Sequence, residues 1–198
     1  MSSKNLILRR IREALGDNPA QPEIPRDYRR AAEAPVDLDL LVERLEDYKA
    51  VVHRTSDISD AISRIVGDGQ VVAPPGVPVE WLPRGSKTDN GLTAAEIAES
   101  DGVVTAAAVA IVETGTIVLD ASPDQGRRIL SLLPDLHICV LRPDQVVASV
   151  PEAVARLTPG RPLTWISGPS ATSDIELNRV EGVHGPRNLH IVLVEEAA

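Results

Sequence analysis

Short strand-like runs alternate with helix-like segments along most of this chain, and this order constrains the fold more than any other feature. Apolar residues recur at helical spacing over residues 37–49 and 57–66, and short apolar runs follow at 50–53 and 70–73. Such alternation is typical of a parallel or mostly parallel sheet covered by helices on both faces. The sequence therefore predicts an α/β fold.

The same periodicities predict the remaining elements. Thr93 and Glu96 have the spacing of a capping box, which indicates a helix start at residue 93. Further helices are predicted at 93–100, 124–133 and 143–157, with at most a short one at 175–179. Further strands are predicted at 116–119, 136–141, 163–167 and 189–194. The run 103–112 is rich in small residues and fits either a helix or a strand.

The first 35 residues differ from the rest of the chain. Ser3 can cap a helix that ends at Gly16, and four prolines between residues 19 and 35 then favour an extended arm. The apolar stripe of this helix consists of Leu6, Ile7, Ile11, Ala14 and Leu15. We expect a helix and proline-rich arm at 1–35 and one α/β domain at 36–198. The stripe needs a covering surface, either on this domain or on a partner chain.

Composition excludes several classes of protein. The chain has no Phe, two Trp and two Tyr, so Val, Leu, Ile and Ala must form the core. A net charge of −9 disfavours a nucleic-acid-binding protein or a protein that binds membranes through a basic surface. No apolar run approaches the roughly 20 residues of a membrane span. Because the N-terminus also lacks the long apolar core of a signal peptide, we expect a cytoplasmic protein.

A single cysteine, Cys139, lies within an apolar run. One cysteine cannot form an intramolecular disulfide, nor can it build a zinc or iron–sulfur site that needs several thiolates within one chain. We expect Cys139 to be a small buried residue of a strand rather than a reactive thiol. No metal site is predicted.

The first candidate site is the turn at 112–116, where Glu113, Thr114 and Gly115 follow an apolar run. Gly115 permits a sharp turn or a close approach to a ligand, and Glu113 could act as an acid, a base or a hydrogen-bond acceptor. The alternative is a glycine turn that leads into a strand, with Glu113 solvated. Composition alone favours this alternative.

The second candidate site follows the strand predicted at 163–167. Hydroxyl groups and backbone N–H groups crowd the start of a predicted short helix, which is an arrangement that favours an anion. The residues singled out here are Gly168, Ser170, Thr172, Asp174 and Glu176. The alternative is a well-capped helix in which Ser or Asp serves only as the N-cap.

The loop at 182–187 favours a ligand site over a helix that is only capped. It places His184 and Arg187 close together, with Gly185 between them. An arginine can bind a carboxylate or phosphate through two hydrogen bonds, and a histidine can move a proton near neutral pH. The alternatives are an ion pair of Arg187 with a nearby carboxylate, Asp174 or Glu176, and a His184 ring bonded to backbone. His190, in the last predicted strand, is more consistent with a structural role.

These motifs resemble the lactate-utilisation protein C family of LUD-domain proteins. The resemblance rests on Gly-Pro-Ser-Ala-Thr-Ser-Asp-Ile-Glu at 168–176 and Gly-Val-His-Gly-Pro-Arg at 182–187, and segments 113–116 and 131–137 also match. It implies a Rossmann-like three-layer sandwich with a mostly parallel sheet, similar to the NagB/RpiA/CoA-transferase group. Family members are encoded beside two iron–sulfur proteins, and together they oxidise L-lactate to pyruvate. The resemblance therefore implies iron–sulfur clusters in partner proteins and no cofactor on this chain itself.

Three hypotheses about function stay open at this point. The first is a subunit that binds a small carboxylate or another anion through Ser170, Thr172 and Arg187, with His184 or Glu113 moving a proton. The second is a non-catalytic assembly or regulatory subunit that docks the iron–sulfur partners. The third is an independent enzyme that acts on a CoA ester or a phosphorylated metabolite, with Glu113 as nucleophile or base.

Overall fold

The chain forms five α-helices and twelve strands within the residues that the computed structural model describes, which are 3–16, 23–31, 35–173, 179–181 and 185–195. The helices are α1 (Ser3–Leu15), α2 (Leu38–Asp47), α3 (Ile58–Val66), α4 (Ala94–Ala98) and α5 (Val150–Arg156). The strands are β1 (Val51–Thr55), β2 (Val71–Ala73), β3 (Lys87–Thr88), β4 (Gly102–Ala106), β5 (Val109–Ile111), β6 (Thr116–Leu119), β7 (Leu136–Leu141), β8 (Val146–Val147), β9 (Thr164–Ile166), β10 (Ala171–Ser173), β11 (Arg179–Glu181) and β12 (Asn188–Val194). Short 3₁₀ helices lie at Val79–Trp81, Arg128–Ser131 and Pro143–Gln145.

Six strands form a wholly parallel sheet in the order β1-β12-β7-β4-β2-β3. Successive residues of a strand point to opposite faces, and each face of this sheet packs against a helix. Leu141 of β7 lies in one core cluster with Leu41 of α2, and Val140 lies in another with Ile62 of α3. The predicted α/β fold, with helices on both faces of a parallel sheet, is confirmed.

The core is built from aliphatic side chains, as the composition requires. The fully buried large side chains are Leu and Ile, together with His137, among the described residues. Cys139 has no exposed surface, and burial raises the pKa of its thiol to about 12. This cysteine is therefore an uncharged core residue at neutral pH, as expected.

A second sheet was not foreseen from the sequence. It has the order β8-β5-β6-β9, and its β5–β6 and β6–β9 pairs are antiparallel. The small-residue run at 103–112 supplies both sheets, because it forms β4 and then continues into β5. Two alanines, Ala107 and Ala108, lie between these strands. Strands β10 and β11 form a separate antiparallel pair.

The helix predicted at 124–133 is wrong. Only Arg128–Ser131 is helical there, as a 3₁₀ turn. Gly126 has a φ of +69°, which an α-helix does not accommodate. The backbone oxygen of Asp124 accepts a hydrogen bond from the backbone N–H of Ala106 at 2.9 Å. This oxygen is therefore paired with the end of β4 and not with an N–H group of a helix.

The single helix predicted at 143–157 is also wrong. The segment divides into a 3₁₀ turn, strand β8 and helix α5. The buried Gln145 explains the division, because its Nε2 donates to the backbone oxygen of Ala107 and holds β8 beside β5. A capping box of Ser149 and Glu152 then starts α5 separately.

Helix α1 confirms the predicted N-terminal helix, and Gly16 ends it with a φ of +69°. All of its residues are exposed, including the apolar stripe that contains Ile7, Ile11 and Leu15. No described helix is long and apolar enough to cross a membrane.

Asp89 anchors the loop that follows β3. Its buried carboxylate accepts hydrogen bonds from Arg127 Nε and Nη2 at 2.8 and 2.6 Å and from the backbone N–H groups of Gly91 and Leu92. Asp89→Ala should lower the free energy of unfolding by about 2 kcal/mol, because it leaves these donors unpaired while Arg127 stays half in solvent. Urea unfolding measures this loss. An unchanged midpoint would contradict the anchoring role.

Candidate functional site

A cavity of about 230 Å³ lies between the end of β9 and the amino ends of β7 and β12. Residues 164–170 form one wall, and Gly185, Pro186 and Leu189 form another. Arg128, Ser131 and His137 complete the lining. This cavity, which we call the β9 cavity, is the candidate site that best matches the predicted motifs.

The structure brings three of the predicted ligand-binding residues to this cavity. Gly168, Ser170 and Gly185 all line it. The two loops that carry them are directly linked, because the backbone N–H of Ser170 donates to the backbone oxygen of Pro186 at 2.8 Å. The two loops therefore lie side by side at this cavity.

The position of the cavity differs from the expected one. We expected a ligand at the carboxyl ends of the strands of one parallel sheet. Strand β9 instead pairs antiparallel with β6 in the second sheet, so its carboxyl end meets the amino ends of β7 and β12. Ala171–Ser173, expected at the start of a short helix, form strand β10. The short helix predicted at 175–179 lies mostly outside the described residues, and Arg179 belongs to β11.

Arg128 supplies the positive charge of the cavity. Its Nη1 donates to Ser131 Oγ at 3.0 Å, and no carboxylate of the described residues lies within ion-pair distance of it. Hydroxyl groups of Ser131, Ser167 and Ser170 line the same space. A guanidinium beside several hydroxyl groups is suited to a carboxylate or a phosphate.

His137 forms the buried end of the cavity. It is 1% exposed, and its Nε2 lies 2.8 Å from Thr105 Oγ1. Burial, helped by the positive charge of Arg128, lowers the pKa of His137 to about 4. The imidazole is therefore neutral at neutral pH and provides hydrogen bonds without a charge.

A chain of hydroxyl groups joins the predicted turn at 112–116 to this cavity. Thr114 Oγ1 donates to Thr116 Oγ1 at 2.8 Å, and Thr116 Oγ1 lies 2.8 Å from Ser167 Oγ. Thr114 is thus joined to Ser167, a residue of the lining, by two hydrogen bonds through the hydroxyl group of Thr116. It supports the site through Ser167 and does not itself line the cavity.

Gly168 and Gly115 have backbone roles. Both have positive φ values, and a Cβ on Gly168 would lie 2.3 Å from the backbone oxygen of Tyr48. A Cβ on Gly115 would lie 2.9 Å from Arg44 Cβ. These glycines let the loops pack closely against the end of α2.

Glu113 lies outside the lining of the β9 cavity. Its two carboxylate oxygens accept hydrogen bonds from Arg29 Nη2 at 2.6 and 2.8 Å, and its backbone oxygen accepts one from Arg44 Nη1 at 2.6 Å. The bond to Arg29 is the main cause that lowers the pKa of Glu113. The structure thus places Glu113 where the arm at residues 23–31 contacts the α/β domain.

Arg187 also lies beside the cavity and not in its lining. Its Nε and Nη2 donate to the two carboxylate oxygens of Asp135 at 2.6 and 3.0 Å, and this pairing lowers the pKa of Asp135. An ion pair of Arg187 is thus present with Asp135, whereas the alternative stated from the sequence named Asp174 or Glu176, which lie outside the described residues. Among the described residues, the arginine that lines the cavity is Arg128.

Three predicted site residues, Asp174, Glu176 and His184, lie outside the described residues. Thr172 belongs to β10, where its backbone pairs with Val180 of β11. Within the described parts of the chain, no group of three or more His, Cys, Asp or Glu side chains could hold a metal ion.

Sequence reasoning did not select Arg128, Ser131, His137 or Trp165 as site residues. A signal was present, because the segment 131–137 resembled the family pattern and spans two of them. The position of Arg128 gave no signal, since a surface arginine in a predicted helix is common. Trp165 is 43% exposed at the wall of the cavity and offers an apolar surface beside the charged groups.

The match to a known family covers residues 38–194 and is to the LUD domain. This chain belongs to the LUD domain family. A similar LUD-domain relative is lactate utilization protein C of Deinococcus radiodurans, 50% identical over 77% of this chain and 76% of the relative. The protein of the same name from Shouchella clausii is 35% identical over 66% of this chain and 57% of the relative, and that from Bacillus subtilis is 34% identical over 61% and 52%.

A solved LUD-type relative supports the fold. The crystal structure of a DUF162 family protein from Deinococcus radiodurans has a TM-score of 0.68 and 42% sequence identity with this chain. The match covers 80% of this chain and 96% of that protein. The Rossmann-like layered fold implied by the sequence resemblance is therefore confirmed.

Proposed function

We propose that this chain is a cytoplasmic component of an iron–sulfur-dependent L-lactate utilisation system and that it binds a small carboxylate, or another small anion, in the β9 cavity. The relatives named lactate utilization protein C support involvement in lactate utilisation. The iron–sulfur clusters belong to partner proteins in this proposal, and the oxidation product is pyruvate.

The observation that carries the anion site is the guanidinium of Arg128 inside the β9 cavity. It has no carboxylate partner among the described residues, and it donates to Ser131 Oγ at 3.0 Å in a cavity that Ser167 and Ser170 also line. Arg128 is exposed, and a guanidinium beside hydroxyl groups can bind a carboxylate through two hydrogen bonds. The carboxylate of a 2-hydroxy or 2-keto acid would bind Arg128. The hydroxyl or keto oxygen on carbon 2 of the acid would bind Ser131 or Ser167.

Proton transfer in this proposal falls to His184, which directly precedes Gly185 of the cavity lining in the sequence. Glu113 is less suited, because Arg29 binds both of its oxygens outside the cavity. His137 is also less suited as an acid, because its pKa near 4 leaves no proton to give at neutral pH.

A ligand-induced thermal shift tests the anion site. L-Lactate or pyruvate at 100 times its dissociation constant should stabilise the wild-type protein by about 2.7 kcal/mol. Arg128→Gln should weaken binding about tenfold or more, because a charged hydrogen bond is lost. Arg64→Gln is the matched control, since Arg64 is exposed and pairs with Asp60 on α3.

The outcomes of this scan are distinct. A shift that Arg64→Gln keeps and Arg128→Gln loses would support the site. An equal shift in both variants would remove Arg128 from the site. No shift with any small carboxylate in the wild-type protein would contradict anion binding by the isolated chain.

A second candidate function is that of an assembly subunit that docks the iron–sulfur proteins. The observation that favours it is helix α1, whose apolar stripe is exposed along its length. Exposed apolar surface of this kind is typical of interaction sites. If α1 docks a partner, deletion of residues 1–35 should abolish co-purification of the iron–sulfur proteins. Undiminished co-purification would contradict this role.

A further inference from the structure

The parallel sheet has a topological switch point between β2 and β4. The strand of this sheet that follows β2 in the chain is β3, at one edge, whereas the strand of this sheet that follows β4 is β7, on the other side of β4. In open α/β sheets, ligands bind in the crevice outside the carboxyl ends of the two strands at such a point. The β9 cavity does not lie here, since it adjoins the amino ends of β7 and β12.

A separate cavity of about 430 Å³ occupies this crevice. It is bounded by Gly76 after β2, by Ala107 and Ala108 after β4, and by the loop at 120–125. We call it the switch-point cavity, and it shares no lining residue with the β9 cavity. Its volume is within the usual range for small-molecule sites.

The backbone segments that form the walls of the switch-point cavity pack tightly against each other. A Cβ on Gly76 would lie 2.4 Å from the backbone carbon of Pro123, and the backbone N–H of Gly76 donates to the oxygen of Pro123 at 2.9 Å. The loop at 120–125 is therefore fixed against the end of β2. Ala107 and Ala108 have small side chains, which leave the space beyond the ends of β2 and β4 open.

Two charged side chains with different partners line this space. Asp120 is already neutralised, because Arg161 Nη1 donates to its Oδ2 at 3.0 Å. Asp124 has no ion-pair partner among the described residues, and Gln125 Nε2 donates to its Oδ1 at 3.3 Å. Burial raises the pKa of Asp124, which shows that its carboxylate is incompletely compensated.

Arg156 supplies the opposite charge. Its Nη1 donates to the backbone oxygen of Asp144 at 2.7 Å, and no described carboxylate lies within ion-pair distance of it. The cavity thus combines an exposed guanidinium that forms no ion pair among the described residues and a carboxylate whose burial is only partly offset by the charge of Arg142. A ligand that carries both an acidic group and hydroxyl groups would satisfy both side chains.

We propose that the switch-point cavity is a second ligand site, which takes a small hydroxylated anion. The acidic group of the ligand binds Arg156, and a hydroxyl group of the ligand donates to Asp124. A carboxylate and a phosphate present the same chemistry to Arg156. This site is independent of the anion site proposed for the β9 cavity.

Calorimetric titration of the full chain tests this proposal with two probes, D-glycerate and glycerol 3-phosphate. Arg156→Gln and Asp124→Asn should each weaken binding of the probe about tenfold or more. The titrations are made in the Arg128→Gln background, which weakens the anion site proposed for the β9 cavity, and the further change Arg64→Gln, at an exposed position of α3, should leave binding of the probe unchanged. Circular dichroism and the melting temperature establish that each variant is folded.

Each result decides the question. Binding of glycerate identifies a hydroxy acid as the ligand class, and binding of glycerol 3-phosphate identifies a phosphorylated polyol. The proposal is overturned if neither probe binds at millimolar concentration, or if Arg156→Gln and Asp124→Asn both bind as the wild type does. Loss of all binding in Arg128→Gln would place the probes in the β9 cavity and would also overturn it.

Discussion

Acidification from pH 6.5 to pH 4 should lower the free energy of unfolding by about 3 kcal/mol through His137 alone. The unfolded chain protonates this histidine near its ordinary pKa of 6.5, whereas burial in the fold lowers its pKa to about 4. One pKa unit corresponds to about 1.36 kcal/mol. Between these two values the unfolded state binds more protons, so stability falls as the pH falls and levels off below pH 4.

Urea unfolding of the wild type and of His137→Gln, at pH 7 and at pH 4.5, measures this effect. Two other histidines contribute in the same direction, since burial is the main cause that lowers the pKa of both His53 and His190. His53 and His190, whose Nε2 and Nδ1 lie 2.9 Å apart, are present in both the wild type and the variant. The difference between the two proteins therefore excludes their contribution. The variant should lose much less stability on acidification. Equal losses would show that His137 is not buried in its neutral form.

Gly168→Ala should destabilise the fold by about 3 kcal/mol or more and disrupt the β9 cavity. Two costs add at this position. Gly168 has a φ of +89°, a backbone conformation that costs an L-residue about 1–2 kcal/mol of conformational free energy. Its new Cβ would also lie 2.3 Å from the backbone oxygen of Tyr48, so either the loop or α2 must move.

Gly160→Ala is the matched control for this variant. Gly160 has a similar φ of +85°, but no atom lies within 4 Å of the position of its Cβ. It should cost only the conformational strain, about 1 to 2 kcal/mol. Denaturant midpoints of the two variants separate strain from overlap. If both variants lost the same stability, the close approach of Gly168 to Tyr48 would be refuted.

The order of the central elements could be predicted from periodicity, because the apolar spacing and the capping residues within each segment decide its structure. Strands β6 and β7 have the predicted bounds, and α4 starts at the predicted capping box of Thr93 and Glu96. Helix α3 follows a similar local signal, the cap Asp57. In these cases the chemistry of a few neighbouring residues decides the structure.

The second sheet could not be predicted, because long-range contacts decide it. Val146 and Val147 are too few to form a strand alone, and they do so because β5 lies beside them. Gln145 reaches Ala107 across 38 positions of sequence to hold this pairing. No local pattern carries that information.

The candidate site was predictable in part. The loops that contain Gly168, Ser170 and Gly185 were found from glycine, hydroxyl and charge patterns, and the fold brings them together. Arg128 was missed because it comes from a segment that looked helical and lies about 40 residues earlier in the chain. Arg187 drew attention by its spacing, yet its guanidinium binds Asp135.

Growth on L-lactate is the most direct test of the claim that this chain serves lactate utilisation through the β9 cavity. A strain that lacks the gene would be complemented with the wild type, with Arg128→Gln or with Arg64→Gln, at matched protein levels. We expect the wild type and Arg64→Gln to restore growth on L-lactate and Arg128→Gln to fail, while all three grow equally on pyruvate. Full restoration by Arg128→Gln would contradict a functional anion site in this cavity, and growth on L-lactate without the gene would contradict the role in lactate utilisation.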